Sequence, residues 1–177
     1  MAGRILGASE LDGVTLSVTS AAGDYVIANL TDIQPGLKWR STNTSAQTIT
    51  GDMGGSKAIT AFVLYNHNLS SGGTIQFTLS TDSGHTAQAY DATVNAQEPT
   101  YGWGDGPYGG LGNDNTYGGF STEGWVTKFT VIWLGATYVG RYIRVILTDA
   151  SNSDGYIEAG RIKVGQHVEF PYRNGYD

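Results

Sequence analysis

Hydrophobic and polar positions alternate with a period of two along most of the chain. Val14, Leu16 and Val18 are separated by Thr15 and Ser17, and Ile75, Phe77 and Leu79 by Gln76 and Thr78. Phe129, Val131 and Trp133 alternate in the same way against Lys128 and Thr130. Successive side chains of a strand point to opposite faces, so each stretch predicts a strand with one buried face. From Ala58 to Tyr65 both faces are apolar, which predicts a central strand covered on both sides. Ile143, Val145 and Leu147 mark one face of a strand over Arg141–Leu147, with Tyr142, Arg144 and Ile146 on the other. A last strand is predicted from Tyr156 to Val164, kinked at Gly160. No window shows the 3.6-residue apolar repeat of a helix, and only one short helical turn is expected, around Ala8 to Leu11.

Strands at this spacing, separated by Gly, Asn, Asp and Ser clusters, predict an all-β antiparallel sandwich, a jelly roll of about eight strands. With 177 residues the chain has room for one substantial core. The expected organisation is an N-terminal arm over residues 1–13, a sandwich domain over 14–170 with a loop insertion at 101–120, and a C-terminal tail over 171–177. The arm reads either as a docking strand or as an unstructured tail.

Composition narrows the function. Gly contributes 26 residues, and charged residues only 15%, so the polar surface is built more from hydroxyls and amides than from charges. The formal charge of −6 and the scatter of ten basic residues argue against nucleic acid as a partner, because counterion displacement from phosphates needs clustered cations. No apolar run reaches the length of a membrane span, no signal-like segment opens the chain, and there is no cysteine for a disulfide or thiolate metal site. No cofactor is expected.

The segment Tyr101 to Phe120 stands apart, with eight glycines and five aromatics in twenty residues. Tyr101, Trp103, Tyr108 and Tyr117 offer flat apolar faces, and Asp105, Asn113 and Asn115 offer hydrogen-bonding groups. Sugars present C–H faces edged by hydroxyls, so this mixture suits glycan contact; packing on the sandwich or on a neighbouring subunit is the first expectation and uses the same residue types. Asp105, Asp114 and Glu123 are the candidates for a glycosidase carboxylate pair, on flanks that would position them poorly. Asp149, Asn152 and Asp154 form a candidate calcium loop, although an EF-hand register fails because Ala150 and Arg161 would fall on its first and twelfth positions. A turn with side-chain to backbone hydrogen bonds is the simpler account. His67, His85 and His167 lack paired ligand spacing, and Asp82-Ser83-Gly84-His85 carries triad residue types too close in sequence for triad geometry.

Several short strings occur in a telling order: Trp39-Arg40-Ser41, Ile49-Thr50-Gly51-Asp52-Met53-Gly54, Tyr65-Asn66-His67-Asn68-Leu69-Ser70, Gly140-Arg141-Tyr142-Ile143-Arg144-Val145, and Gly160-Arg161-Ile162-Lys163-Val164-Gly165. Over about residues 25–170 the chain resembles galactose-binding-like, discoidin-type jelly rolls. It further resembles small tail-associated virion proteins of bacteriophages, through the closing series Arg141-Tyr142, Asp149, Gly155-Tyr156-Ile157-Glu158 and Gly160-Arg161. The resemblance implies a non-enzymatic virion component of a tail tip, baseplate or fibre attachment. Such a component would be made in the bacterial cytoplasm, be held by other tail proteins as a homo-oligomer, and touch host-surface glycans. The alternative expectation is a carbohydrate-binding module; a glycoside hydrolase ranks third.

Overall fold

A computed structural model describes residues 3–34, 36–96, 116–117, 120–121 and 129–170. Twelve strands lie among the described residues. They are β1 (Gly3–Leu6), β2 (Leu16–Val18), β3 (Trp39–Arg40), β4 (Gln47–Tyr65), β5 (Thr74–Ser80), β6 (Gln88–Asn95), β7 (Thr116–Tyr117), β8 (Phe120–Ser121), β9 (Phe129–Thr148), β10 (Glu158–Ala159), β11 (Arg161–Gly165) and β12 (His167–Phe170). Every pairing is antiparallel.

The long strands β4 and β9 organise the molecule. They pair along almost their whole length, with register shifts between Asp52 and Lys57 and between Ile59 and Ala61. At the first shift Gly54 takes a φ of 76°, a conformation open to glycine at no steric cost, and its N–H donates to Asp52 Oδ1 at 2.8 Å. Asp52 also accepts two bonds from Arg141 on β9, at 2.7 and 2.8 Å, which ties the bend together. The paired ribbon therefore folds over on itself and supplies both layers. Its first layer continues through β2, β5 and β6, and its second adds β11.

Alternation fills the space between the layers. Ile49, Ile75, Phe77, Ile143 and Val145 face Phe62, Leu64, Ile132, Ile162 and Val164 in one core cluster. Phe62 and Phe77 stack across the gap with ring centroids 4.8 Å apart. Burying side chains of this size contributes roughly 1.5–3 kcal/mol each. Trp39 plugs one end, fully buried, its Nε1 donating to Ser20 O at 3.0 Å.

Three expectations are corrected by the structure. The stretches around Phe129 and Arg141 are one bent strand, because Gly135 and Gly140 lie inside a ladder instead of ending one. The stripe Phe129, Val131, Trp133 faces outward; Thr130, Ile132 and Leu134 are the buried set, and Thr130 is held inside by His67 Nε2 at 3.0 Å. The segment around Ala8 to Leu11 is a hydrogen-bonded turn that seats Leu11 in the core, and the single described helical turn is a 3-10 turn at Ile27–Leu30.

The predicted last strand is divided at Gly160 into β10 and β11. β1 and β12 form a ribbon that joins the two ends of the described chain.

Candidate functional site

Loops far apart in sequence meet at the end of the sandwich where β4 finishes at Tyr65. Asn66 ends that strand with a φ of 53°, a left-handed value that asparagine adopts more readily than most residues. The following loop, 66–73, then lies against 149–157. Asn68 stitches the two: its amide donates to Asp154 Oδ2 at 2.9 Å and to Tyr156 O at 3.0 Å, and its carbonyl accepts from Glu158 N at 2.8 Å. Ser41, just after β3, donates its N–H to Ile157 O at 2.8 Å and accepts from Ile157 N–H through Oγ at 2.8 Å.

A charged cluster sits beside these loops. Glu158 is only 6% exposed and is bonded by both Lys38 and Arg40. Arg40 reaches Oε2 with Nη2 at 2.9 Å and Nε at 3.2 Å. Its guanidinium lies between the rings of Tyr25 and Tyr156, at 4.0 and 3.9 Å from their centroids. Burial disfavours the cation, but the bonds to Glu158 outweigh it and leave the Arg40 pKa above its ordinary value. Next to this cluster opens a cavity of about 340 Å3, walled by Lys38, Asn68, Ser70, Asn152, Asp154 and Glu158 among others. The cavity presents the Lys38 ammonium together with the carboxylates of Asp154 and Glu158, while the amide groups of Asn68 and Asn152 are spent within the frame; a cation beside carboxylate acceptors suits hydroxyl-rich ligands.

The candidates from the sequence distribute as follows. Asp149, Asn152 and Asp154 are brought together here. Asp149 accepts from Ser70 N at 2.7 Å, Ser70 Oγ at 3.0 Å and Asn152 Nδ2 at 3.2 Å, while Asn152 Oδ1 accepts from Asp154 N at 3.0 Å. A cation would have to displace those donors. No group of three or more His, Asp or Glu among the described residues is arranged to hold a metal ion.

Each histidine has its own hydroxyl neighbour: Thr130 for His67, Ser80 for His85 and Thr60 for His167. His85 therefore meets Ser80 at 2.6 Å and not Ser83, and Ser80 is fully buried. Asp82 spends its carboxylate on Ala87 N, Thr86 Oγ1 and Thr86 N, which hold its pKa down at about 2. Tyr101, Trp103, Asp105, Tyr108, Asn113, Asn115, Asp114 and Glu123 lie outside the described residues, and Tyr117 falls on β7, paired with Phe120.

Sequence reasoning missed Lys38 and Tyr25 as site residues. Neither sits in a motif; the pairing of β3 with β10 brings the segment of Lys38 to Glu158, and the bond from Arg40 N to Tyr25 O at 3.3 Å brings Tyr25 to the same cluster.

No protein-family model matches the chain, and no curated protein matches it in sequence. Solved structures do share the fold. Chitosan-binding module 1, derived from a chitosanase/glucanase of Paenibacillus sp. IK-5, is 19% identical with a TM-score of 0.58, over 90% of this chain and 100% of that one. CpGH89CBM32-6 of Clostridium perfringens is 16% identical with a TM-score of 0.56, over 89% and 98%. The fold is a galactose-binding-like β-sandwich. CBM32 of AlyQ, solved with 4,5-unsaturated mannuronic acid, adds a third neighbour at 16% identity and a TM-score of 0.51, over 85% of this chain and 92% of that one. No helix among the described residues is long and apolar enough to cross a membrane.

Proposed function

We propose that the chain is a non-catalytic carbohydrate-binding module whose ligand enters the cavity beside Lys38 and Glu158. The observation that carries this reading is that cavity. It is open, polar and pre-assembled, braced by a buried Glu158 and the Tyr25–Arg40–Tyr156 stack, in a fold whose neighbours include carbohydrate-binding modules. A rigid frame of donors and acceptors loses little side-chain freedom on meeting a sugar's hydroxyls, which favours binding without chemistry. The Ser80–His85 pair offers no competing hydrolytic reading, since its hydroxyl is buried.

The neighbours' ligands have opposite charge, an amino-sugar polymer in one and a uronic acid in another, so neither is transferred. This chain's charge of −6 steers it toward neutral or cationic glycans. A phage tail as the setting, with other tail proteins and further copies of the chain as partners, rests on the sequence strings alone; recovery of the protein in purified particles is its test.

The binding reading is tested by affinity electrophoresis against neutral, amino and uronic polysaccharides. Lys38→Met leaves Arg40 to neutralise Glu158 and removes one donor from the cavity. It is expected to weaken retention about tenfold while shifting Tm by no more than ~2 °C. Wild-type protein that passes every gel unretarded refutes the proposal.

A further inference from the structure

Trp133 is outward-facing and 37% exposed, which is uncommon for a tryptophan in the middle of a strand. Its surroundings are organised. At Gly135, which takes a φ of 78°, β9 bulges away from β4, so that the pairing Ala61–Trp133 is followed only by Ile59–Tyr138. The space opened by the bulge is a cavity of about 320 Å3, walled by Trp133, Thr60, Thr137, Arg4, His167 and Glu169 among others. The ribbon of β1 and β12 lies alongside and delivers the last three of these.

A continuous polar chain frames the indole. Thr60 Oγ1 accepts from His167 N at 2.8 Å and lies 2.7 Å from His167 Nδ1. With the neutral imidazole, the hydroxyl donates to Nδ1 and the ring proton is on Nε2, facing Glu169 Oε1 at 3.4 Å. That oxygen accepts from Arg4 Nε at 2.7 Å, and the Arg4 guanidinium lies over the indole, 5.2 Å from its centroid. His167 packs edge-on against the same indole at 5.0 Å. Four side chains from three elements thus hold one aromatic surface in a fixed setting, with a matched cation and anion at its border.

We infer that this cavity is a second saccharide-binding site, specific for a neutral hexopyranose. The electron-rich indole face attracts the weakly positive C–H face of a pyranose, and the ring surface that Arg4 leaves uncovered is available for it. Arg4 and Glu169 supply donors and acceptors side by side, the pattern that vicinal hydroxyls match. Their charges cancel, so nothing in the border favours an anionic or cationic sugar over a neutral one. The volume falls at the low end of the roughly 300–1,000 Å3 typical of small-ligand sites, which limits occupancy to one or two sugar units. Along β4, Ala61 beside Trp133 is four residues from Tyr65, about 13 Å at strand rise, so the two cavities are separate sites that one longer glycan could bridge. The inference stands on its own geometry and does not depend on the reading of the first cavity.

Each cavity carries its own NMR reporter. The 15N-labelled full chain is titrated with the methyl β-glycosides of glucose, galactose and mannose at millimolar concentration. The readouts are the Trp133 indole N–H, assigned by its disappearance in Trp133→Phe, and the Asn68 side-chain amide. Saturable movement of the indole signal is expected, with the apparent Kd raised about tenfold in Arg4→Met, which keeps the aliphatic stem over the ring and loses the ion pair. Movement of Asn68 alone overturns the second site and leaves the first reading standing. Movement of the indole alone supports the second site and counts against the first. A silent indole with all three sugars overturns the inference, whatever Asn68 does.

Discussion

Glu158→Gln is the perturbation that tests most directly how the end of the sandwich beyond Tyr65 is held together. The substitution keeps shape and volume and removes the charge that both Lys38 and Arg40 are bonded to. One oxygen becomes an NH2 group that must face N–H donors. Removing one partner of a fully buried ion pair costs about 3–5 kcal/mol. Here Lys38 and Arg40 are 29% and 26% exposed against 8% for the Glu158 side chain, so water takes over part of the cations' solvation, and about 2 kcal/mol remains. In a domain of this size that lowers Tm by roughly 4–8 °C, read by near-UV circular dichroism. A double-mutant cycle sharpens the test. Lys38→Met alone costs less than about 1 kcal/mol, because Arg40 still neutralises the carboxylate. In the Glu158→Gln background the same change should be neutral or stabilising, since it removes an unpaired cation. A Tm within about 1 °C of wild type for Glu158→Gln, or a Lys38→Met penalty equal in both backgrounds, would refute the account of Glu158 as the electrostatic hub.

Two further predictions concern the frame. Asp82 has its pKa lowered from 3.8 to about 2 by the Ala87 and Thr86 donors. The stabilisation it gives is therefore complete above its ordinary value and is lost as pH falls through about 2. The Tm gap between wild type and Asp82→Asn should be constant above that window and close across it; a gap that persists to the acid end contradicts the assignment. At Gly165 an added Cβ would lie 2.8 Å from Ala8 O, a backbone atom held in place by the Glu10 N to Val164 O bond at 2.8 Å. Gly165→Ala should cost about 1–3 kcal/mol and speed hydrogen exchange at the Gly7 and Glu10 amides, and unchanged exchange there would show that the N-terminal segment moves freely.

The two-residue alternation made the sheet layers legible, since the core positions Leu16, Phe77 and Val145 follow directly from it. It could not say which of two faces is inner when both carry large residues. On β9 the stripe with Phe129 and Trp133 looks more apolar than the one with Thr130, yet Thr130 is inside because His67 supplies its hydrogen bond. Local pattern does not contain that partner, which lies 63 residues away. Glycine was ambiguous in a related way. The gap between the expected strands around Phe129 and Arg141 contains Gly135 and Gly140, and both belong to β9, Gly135 at its bulge and Gly140 in close approach to Leu79. β12, four residues long, is too short for periodicity to register.

For the site, legibility followed burial. Arg40, Asn68, Asp149 and Glu158 all belong to the strings that carried the fold resemblance, and in space they converge, but as a frame whose hydrogen bonds are directed at one another. Lys38, Tyr25 and Asp154 are the groups left at or beside the open cavity, and none of these three belongs to those strings. A frame must satisfy every buried donor and acceptor, so its residue types and spacing are tightly constrained and recognisable. The rim need only match a ligand, and many side chains can do that. The same division holds around Trp133, where Thr60 and His167 are fixed by mutual hydrogen bonds while Arg4 and Glu169 stay about half exposed. Strings of this kind therefore identify a scaffold and carry little information about a ligand. Ligand class has to be read from cavity charge, aromatic exposure and the geometry that holds them.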